Sequence, residues 1–180
     1  MTIQQFKKQI EIVKKRLFIA QLKLRIAILK QRLTIPDLPG PKHIVIHHDA
    51  GGWSFEQVNN YHQTKWGFKS SLGFYAGYHY YIEKSGRIYQ ARADNEMAAH
   101  AVEVNRPGYW NKNSLGVCLQ GNFMKKGLIE EQIKTLGKFI YEKRAQYGIP
   151  RKEIYGHRDI SPTLCPGDKL YKWVQDYKRS

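Results

Sequence analysis

Residues 154–167, Ile-Tyr-Gly-His-Arg-Asp-Ile-Ser-Pro-Thr-Leu-Cys-Pro-Gly, decide how the chain is read, because His157 and Cys165 stand eight positions apart across a proline-containing loop. A neutral imidazole and a thiolate are preferred zinc ligands, and a loop pinned by Pro162 and Pro166 can hold both towards one point. Two ligands make no site. The third candidate is His47, which closes the apolar run His43-Ile44-Val45-Ile46-His47, a pattern that reads as a buried strand delivering its last residue to a sheet edge. His47, His157 and Cys165 would leave the fourth tetrahedral position of zinc open, and an open position separates a catalytic from a structural site.

Taken singly, these residues carry little. A lone histidine at a strand end is most often hydrogen-bonded and structural, and a single His-x7-Cys pair is a weak signal. Their weight comes from the rest of the chain.

At 180 residues the chain fits one ordinary domain plus an appendage, long enough to bury ~70% of the surface its unfolded form exposes. Its two cysteines, Cys118 and Cys165, allow at most one disulfide, and Cys118 sits in the apolar run Leu115–Leu119 as a small core residue would. The formal charge of +15 predicts attraction to a polyanion: nucleic acid, an anionic lipid surface or an acidic wall polymer. No stretch approaches the ~18 consecutive apolar residues of a transmembrane helix. Nor does the N-terminus show a secretory h-region with a cleavage site, so synthesis in the cytoplasm is expected.

Residues 1–34 have a composition of their own. Nine Lys and Arg against Glu11 give the first 33 residues a net +8. Ile3, Phe6, Ile10, Val13, Leu17, Ala20, Leu24 and Ala27 alternate spacings of three and four, the seam of a coiled coil or of a helix packed on a partner. Two readings stand: a solvated basic helix whose stripe packs on the domain or on its twin in a dimer, and a helix lying on an anionic membrane or envelope polymer. Residues 35–41, with Pro36, Pro39, Gly40 and Pro41, cannot continue a helix and read as a semi-rigid linker to a domain over 42–180.

Within that domain Ser54 and Gln57 form a capping-box signature, opening a helix to about Trp66 with Phe55, Val58, Tyr61 and His62 turned inward. Gly77–Glu83 and Arg87–Arg92 flank Lys84-Ser85-Gly86 as a hairpin, with alternation placing Tyr78, Tyr80 and Ile82 on one face and His79, Tyr81 and Glu83 on the other. Residues 93–113 lack periodicity and read as a surface loop walling a cleft. Ser114–Gly121 is a buried strand, Ile129–Tyr147 an amphipathic helix stopped by Gly148, Glu153–Gly156 a short strand, and Lys169–Tyr177 a last helix. The expected fold is α/β (α+β): a central mixed β-sheet flanked by helices, with an N-terminal basic helical extension.

Five motifs, in order, carry a resemblance over about residues 43–175: Ile44-Val-Ile-His-His, Gly77-Tyr-His-Tyr-Tyr-Ile, Ala98-Ala-His-Ala, Asn113-Ser-Leu-Gly-Val-Cys-Leu-Gln-Gly and Gly156-His-Arg-Asp-Ile-Ser-Pro-Thr-Leu-Cys-Pro-Gly. The chain resembles the zinc-dependent N-acetylmuramoyl-L-alanine amidases, the type 2 amidase family shared by phage lysis enzymes and peptidoglycan recognition proteins. The resemblance implies His47, His157 and Cys165 as ligands of one zinc ion, with His48 outside the metal's shell. It implies Tyr78 and Thr163 as catalytic residues and His100 as a residue of the substrate groove. Asp49 departs from the family, where Thr or Ser is commoner beside the metal.

The implied activity is hydrolysis of the muramoyl–L-alanine amide of bacterial peptidoglycan by a phage or prophage lysis enzyme acting on the wall after release. Two neutral imidazoles and one thiolate leave zinc a net +1, enough to generate hydroxide near neutral pH. The competing readings are a non-catalytic wall-binding module and a membrane-active basic helix fused to one. A nucleic-acid binder would share the charge, but no recognised motif supports it, and no specific nucleic-acid partner is expected.

Overall fold

The computed structural model describes residues 40–103 and 105–180, together with 4, 10–15, 17–21 and 23. The chain divides into two units, Met1–Leu38 and Pro39–Ser180. In the first, residues 10–15 and 17–21 are helical, and Val13, Leu17 and Phe18 are each more than half exposed. The rest of the expected basic helix, and the expected linker up to residue 39, lie outside the described residues. Among the described residues no helix is long and apolar enough to cross a membrane.

The second unit is built on one five-stranded sheet. Strands β1 (His43–His48), β2 (Tyr80–Ile82), β3 (Ile88–Gln90), β4 (Ser114–Leu119) and β5 (Ile154–Gly156) take the order β3-β2-β4-β1-β5. β1 runs parallel to β4 and β5, and β2 parallel to β4; only the β2–β3 hairpin is antiparallel. The mixed sheet matches the expected class. Helices α1 (Phe55–Lys65), α2 (Tyr109–Asn113), α3 (Glu130–Tyr147) and α4 (Asp168–Arg179) flank it.

Alternation along β4 explains the asymmetry of the two faces. Leu115, Val117 and Leu119 join Ile44, Ile46 and Ile82 in a core closed by Leu136, Phe139 and Ile140 of α3 and Leu170 and Val174 of α4. The intervening Ser114, Gly116 and Cys118 are small. On their side Val45 packs with Trp110, and Cys118 packs with Tyr81, Phe55 and Val58 of α1. Small side chains on one face of β4 leave room for rings.

Local signals are realised at the helix ends. Ser54 caps α1 in a capping box with Gln57, and Gly148 ends α3 at φ 66°. Two inward-facing assignments need correction. Phe55, Val58 and His62 form the buried stripe of α1, whereas Tyr61 is 42% exposed and meets the Trp53 ring edge-on at 5.2 Å. Along the hairpin, Tyr80 and Ile82 face α3, but Tyr78 packs with Tyr81 on the opposite side. The strand begins only at Tyr80, so strict alternation does not reach Tyr78.

Candidate metal centre and its surroundings

Parallel strands bring their carboxyl ends to one side of a sheet, where ligands commonly bind. His47, near the end of β1, is the register partner of Cys118 in β4, and His157 directly follows β5, which pairs with β1 through Ile46 and Gly156. The loop after β5 then folds back. The Arg158 N–H donates to the Cys165 carbonyl at 2.8 Å, and the Arg158 guanidinium spans the Leu164 carbonyl and the Asp168 carboxylate. Gly156 has no side chain to collide with the Tyr171 ring, which a Cβ would meet at 2.7 Å.

All six residues singled out in the sequence line one cavity of about 480 Å³: His47, Tyr78, His100, His157, Thr163 and Cys165. The ligand atoms of His47, His157 and Cys165 lie within 4.8 Å of one another, the one such group of three among the described residues. Cys165 Sγ is 3.8 Å from His47 Nδ1. Zinc bonds of about 2.3 Å to sulfur and about 2.0 Å to nitrogen, at a tetrahedral angle, would separate these donors by about 3.5 Å. His157 Nε2 is buried and has no hydrogen-bond partner among the described residues. The donors and their spacing fit a zinc ion.

The electrostatics agree with that donor set. Burial, reinforced by neighbouring histidines, holds His47 well below the ordinary imidazole range and His157 down to about 4, so both rings are neutral donors. Burial pushes the Cys165 thiol up to about 12, although the His48 N–H and Arg158 favour its thiolate. A thiolate here therefore calls for a cation beside it. Cys118 and Cys165 are both free thiols.

The remaining residues surround this trio. His48 turns aside, its Nδ1 accepting the Phe123 N–H at 3.3 Å and its ring stacking on Phe123. His100, 7% exposed, lines the cavity and bridges two side chains: its Nδ1 lies 3.0 Å from His47 Nε2 and its Nε2 lies 3.3 Å from Ser114 Oγ. The Tyr78 ring lies 5.3 Å from that of His47 and 5.6 Å from that of His62, and its hydroxyl faces the Cys118 thiol. Burial, with the Cys118 and Cys165 sulfurs adding to it, raises that hydroxyl well above 10, so it remains a proton donor. Thr163 Oγ1 accepts the Cys165 N–H at 3.2 Å.

Asp49 hydrogen-bonds away from the candidate donors. Its carboxylate accepts the Gly52, Trp53 and Gly121 N–H groups and the Tyr81 hydroxyl, tying the loop after β1 to the end of β4. Sequence reading missed Ser114 and Asn111, which hold His100 beside His47. The alternating small residues Ser114, Gly116 and Cys118 were the available signal.

Comparison with known proteins agrees with this fold. The N-acetylmuramoyl-L-alanine amidase (Amidase_2) family model matches residues 37–168. Peptidoglycan recognition protein 1 of Mus musculus is 29% identical over 148 residues, covering 76% of this chain and 75% of that protein. The amidase LysC of Clostridium intestinale URNW superposes with a TM-score of 0.63 at 24% identity, over 76% of this chain and 84% of that one, a likeness of fold. The ectodomain complex of peptidoglycan recognition proteins LCa and LCx, solved with tracheal cytotoxin bound, gives 0.62 at 26% identity over 77% and 82%. The sheet, the site and the sequence match together place this chain in the N-acetylmuramoyl-L-alanine amidase family.

Proposed function

We propose that the chain hydrolyses the amide between N-acetylmuramic acid and L-alanine in bacterial peptidoglycan, using one zinc ion held by His47, His157 and Cys165. The observation that carries this reading is the convergence of those three donors in a cavity that also presents Tyr78 and Thr163. Bound there, Zn²⁺ supplies Lewis acidity and hydroxide near neutral pH.

The chain's own groups supply the rest. Tyr78 keeps its proton and offers a hydrogen bond where negative charge develops on the lactyl carbonyl oxygen. The neutral His62 ring, its Nδ1 accepting the Gly77 N–H at 2.9 Å, fixes the backbone that carries Tyr78. Thr163, tied to the Cys165 N–H, orients water or the substrate carbonyl from the cavity rim. Hydrolysis adds hydroxide to the lactyl carbon, breaks the C–N bond and leaves the alanine nitrogen to take the proton.

The finer role is that of a phage or prophage lysis enzyme, with residues 1–34 as an envelope-directed extension; the +15 charge supports attraction to an anionic wall or membrane. A second reading, a wall-binding module without turnover, is favoured by the relatives named for recognition. Digestion of purified sacculi by the zinc-loaded chain separates the two: free stem peptides are expected from the enzyme and none from a binding module.

A further inference from the structure

We infer that Ser114 and the Trp110 carbonyl, acting through His100, fix His47 in the tautomer that carries its proton on Nε2 and presents a bare Nδ1 to the metal site. His100 and Ser114 are then positioning residues for metal capture. The inference rests on the zinc reading of the site and goes beyond it, because it assigns a proton to a stated atom in each ring.

The assignment starts from two oxygens. Ser114 Oγ lies 2.6 Å from the Trp110 carbonyl oxygen, a separation that requires a hydrogen between them, and a carbonyl has none to give. The single Ser114 hydroxyl hydrogen is therefore committed to Trp110. Towards His100 Nε2, at 3.3 Å, Ser114 Oγ can only accept, so Nε2 carries the proton. A neutral imidazole has one N–H, which leaves His100 Nδ1 as an acceptor. His47 Nε2, 3.0 Å away, must then be the donor, and His47 Nδ1 is left bare at 3.8 Å from Cys165 Sγ. Both rings are enclosed, His47 at 1% and His100 at 7% exposed, and no carboxylate is among their hydrogen-bond partners, so neither ring holds a second proton.

The His100 ring is held so that this direction cannot be reversed by a simple flip. It lies against Gly116 of β4, where a Cβ would stand 2.4 Å from the ring carbon Cδ2. Its main chain is clamped by Asn111, whose Oδ1 accepts the His100 and Ala101 N–H groups at 2.8 and 2.9 Å and whose Nδ2 donates to the Ala101 carbonyl at 2.7 Å. Turning the ring over would set carbons against both His47 and Ser114 and leave two buried polar groups unpaired. The neighbouring His79 does not compete. Its Nδ1 accepts the Gly116 N–H at 3.0 Å and its Nε2 donates to the Glu96 carbonyl at 2.9 Å, which uses both nitrogens. The direction of the proton is thus set by the Trp110 carbonyl of α2 and passed through a hydroxyl and a ring to His47. Outer partners of this kind typically change metal affinity or activity 10–100-fold when removed.

The test reads tautomers and zinc affinity rather than turnover. Long-range ¹H–¹⁵N correlation spectra of the metal-free wild-type chain near neutral pH should show His47 and His100 each protonated on Nε2 alone. Chelator competition should then show zinc affinity falling roughly 10-fold in Ser114→Ala and up to about 100-fold in His100→Phe. Ser114→Thr keeps the hydroxyl, His100→Asn returns an amide oxygen as acceptor, and both should restore most of it. A His47 proton on Nδ1 in the wild type overturns the inference without any variant. So does a folded Ser114→Ala whose tautomers and zinc affinity are unchanged. A chain that shows these tautomers and affinities yet releases no stem peptide removes the hydrolase reading and leaves this one standing.

Discussion

The backbone N–H of His48 donates to the Cys165 sulfur at 3.4 Å, joining residues 117 positions apart at the end of β1. The sulfur is thus held beside His47 before any ion is considered, and the candidate donors are brought together by the fold rather than by one loop. Both side chains lie outside the aliphatic core between the sheet and α3 and α4. His47→Ala and Cys165→Ala should therefore keep the circular dichroism of the wild type while zinc per chain, measured by metal analysis, drops from about one to near zero.

Tyr78 is separable from metal binding because its hydroxyl faces Cys118 and the cavity and is not one of the three donors. Tyr78→Phe should bind zinc like the wild type and lose roughly 10²–10³-fold in kcat on purified sacculi, the usual cost of removing one donor to a developing oxyanion. Near-normal turnover in that variant removes Tyr78 from the mechanism.

Away from the site, Asp94 joins the loop after β3 to α3: its carboxylate accepts the Tyr80 and Tyr147 hydroxyls and pairs with the Lys143 ammonium at 2.5 Å. Burial alone would raise its pKa, but Lys143 and the two hydroxyls outweigh it and hold the carboxyl below the ordinary value. A carboxyl depressed on folding contributes stability that is fully present above its unfolded pKa of about 3.9 and is lost as pH falls through the lower folded value. Asp94→Asn should unfold in urea with about 2–3 kcal/mol less stability at pH 7, and the gap to wild type should start to narrow only below about pH 4 and close as pH falls through the lower folded value. Equal stability at pH 7 would contradict the role given to this cluster.

In the proposed reading residues 1–34 serve targeting rather than chemistry. Every residue of the proposed site lies in the unit Pro39–Ser180. A chain lacking residues 1–34 should retain its rate on bare sacculi and lose binding to vesicles rich in anionic lipid, followed by co-sedimentation at low and high salt. Unchanged vesicle binding would end the membrane role of the extension.

Much of this architecture was legible in residue order because the signals are local. The run His43–His47, the Ser54/Gln57 box and Gly148 each specify their own element. The candidate trio His47, His157 and Cys165, which the fold brings together, could be picked out because few residue types bind zinc, and each lies at or just after the end of a strand or in a tight loop. What escaped depends on tertiary geometry. Tyr61 satisfies the helical stripe of α1 as well as His62 does, but the sheet accepts His62, and Tyr61 meets Trp53 instead. Tyr78 follows the hairpin's alternation only if the strand reaches it, and β2 starts two residues later. His100 could be seen as a groove residue, but its link to Ser114 requires knowing that the loop carrying it folds over Gly116.

The central claim is that three donors and a tyrosine make a hydrolase, and mass spectrometry of sacculi digested by the zinc-loaded chain tests it most directly. The account predicts soluble stem peptides with a free amino-terminal L-alanine, and glycan strands left with unsubstituted lactyl carboxylates. Sacculi that bind the zinc-loaded chain yet release no such peptides would contradict it.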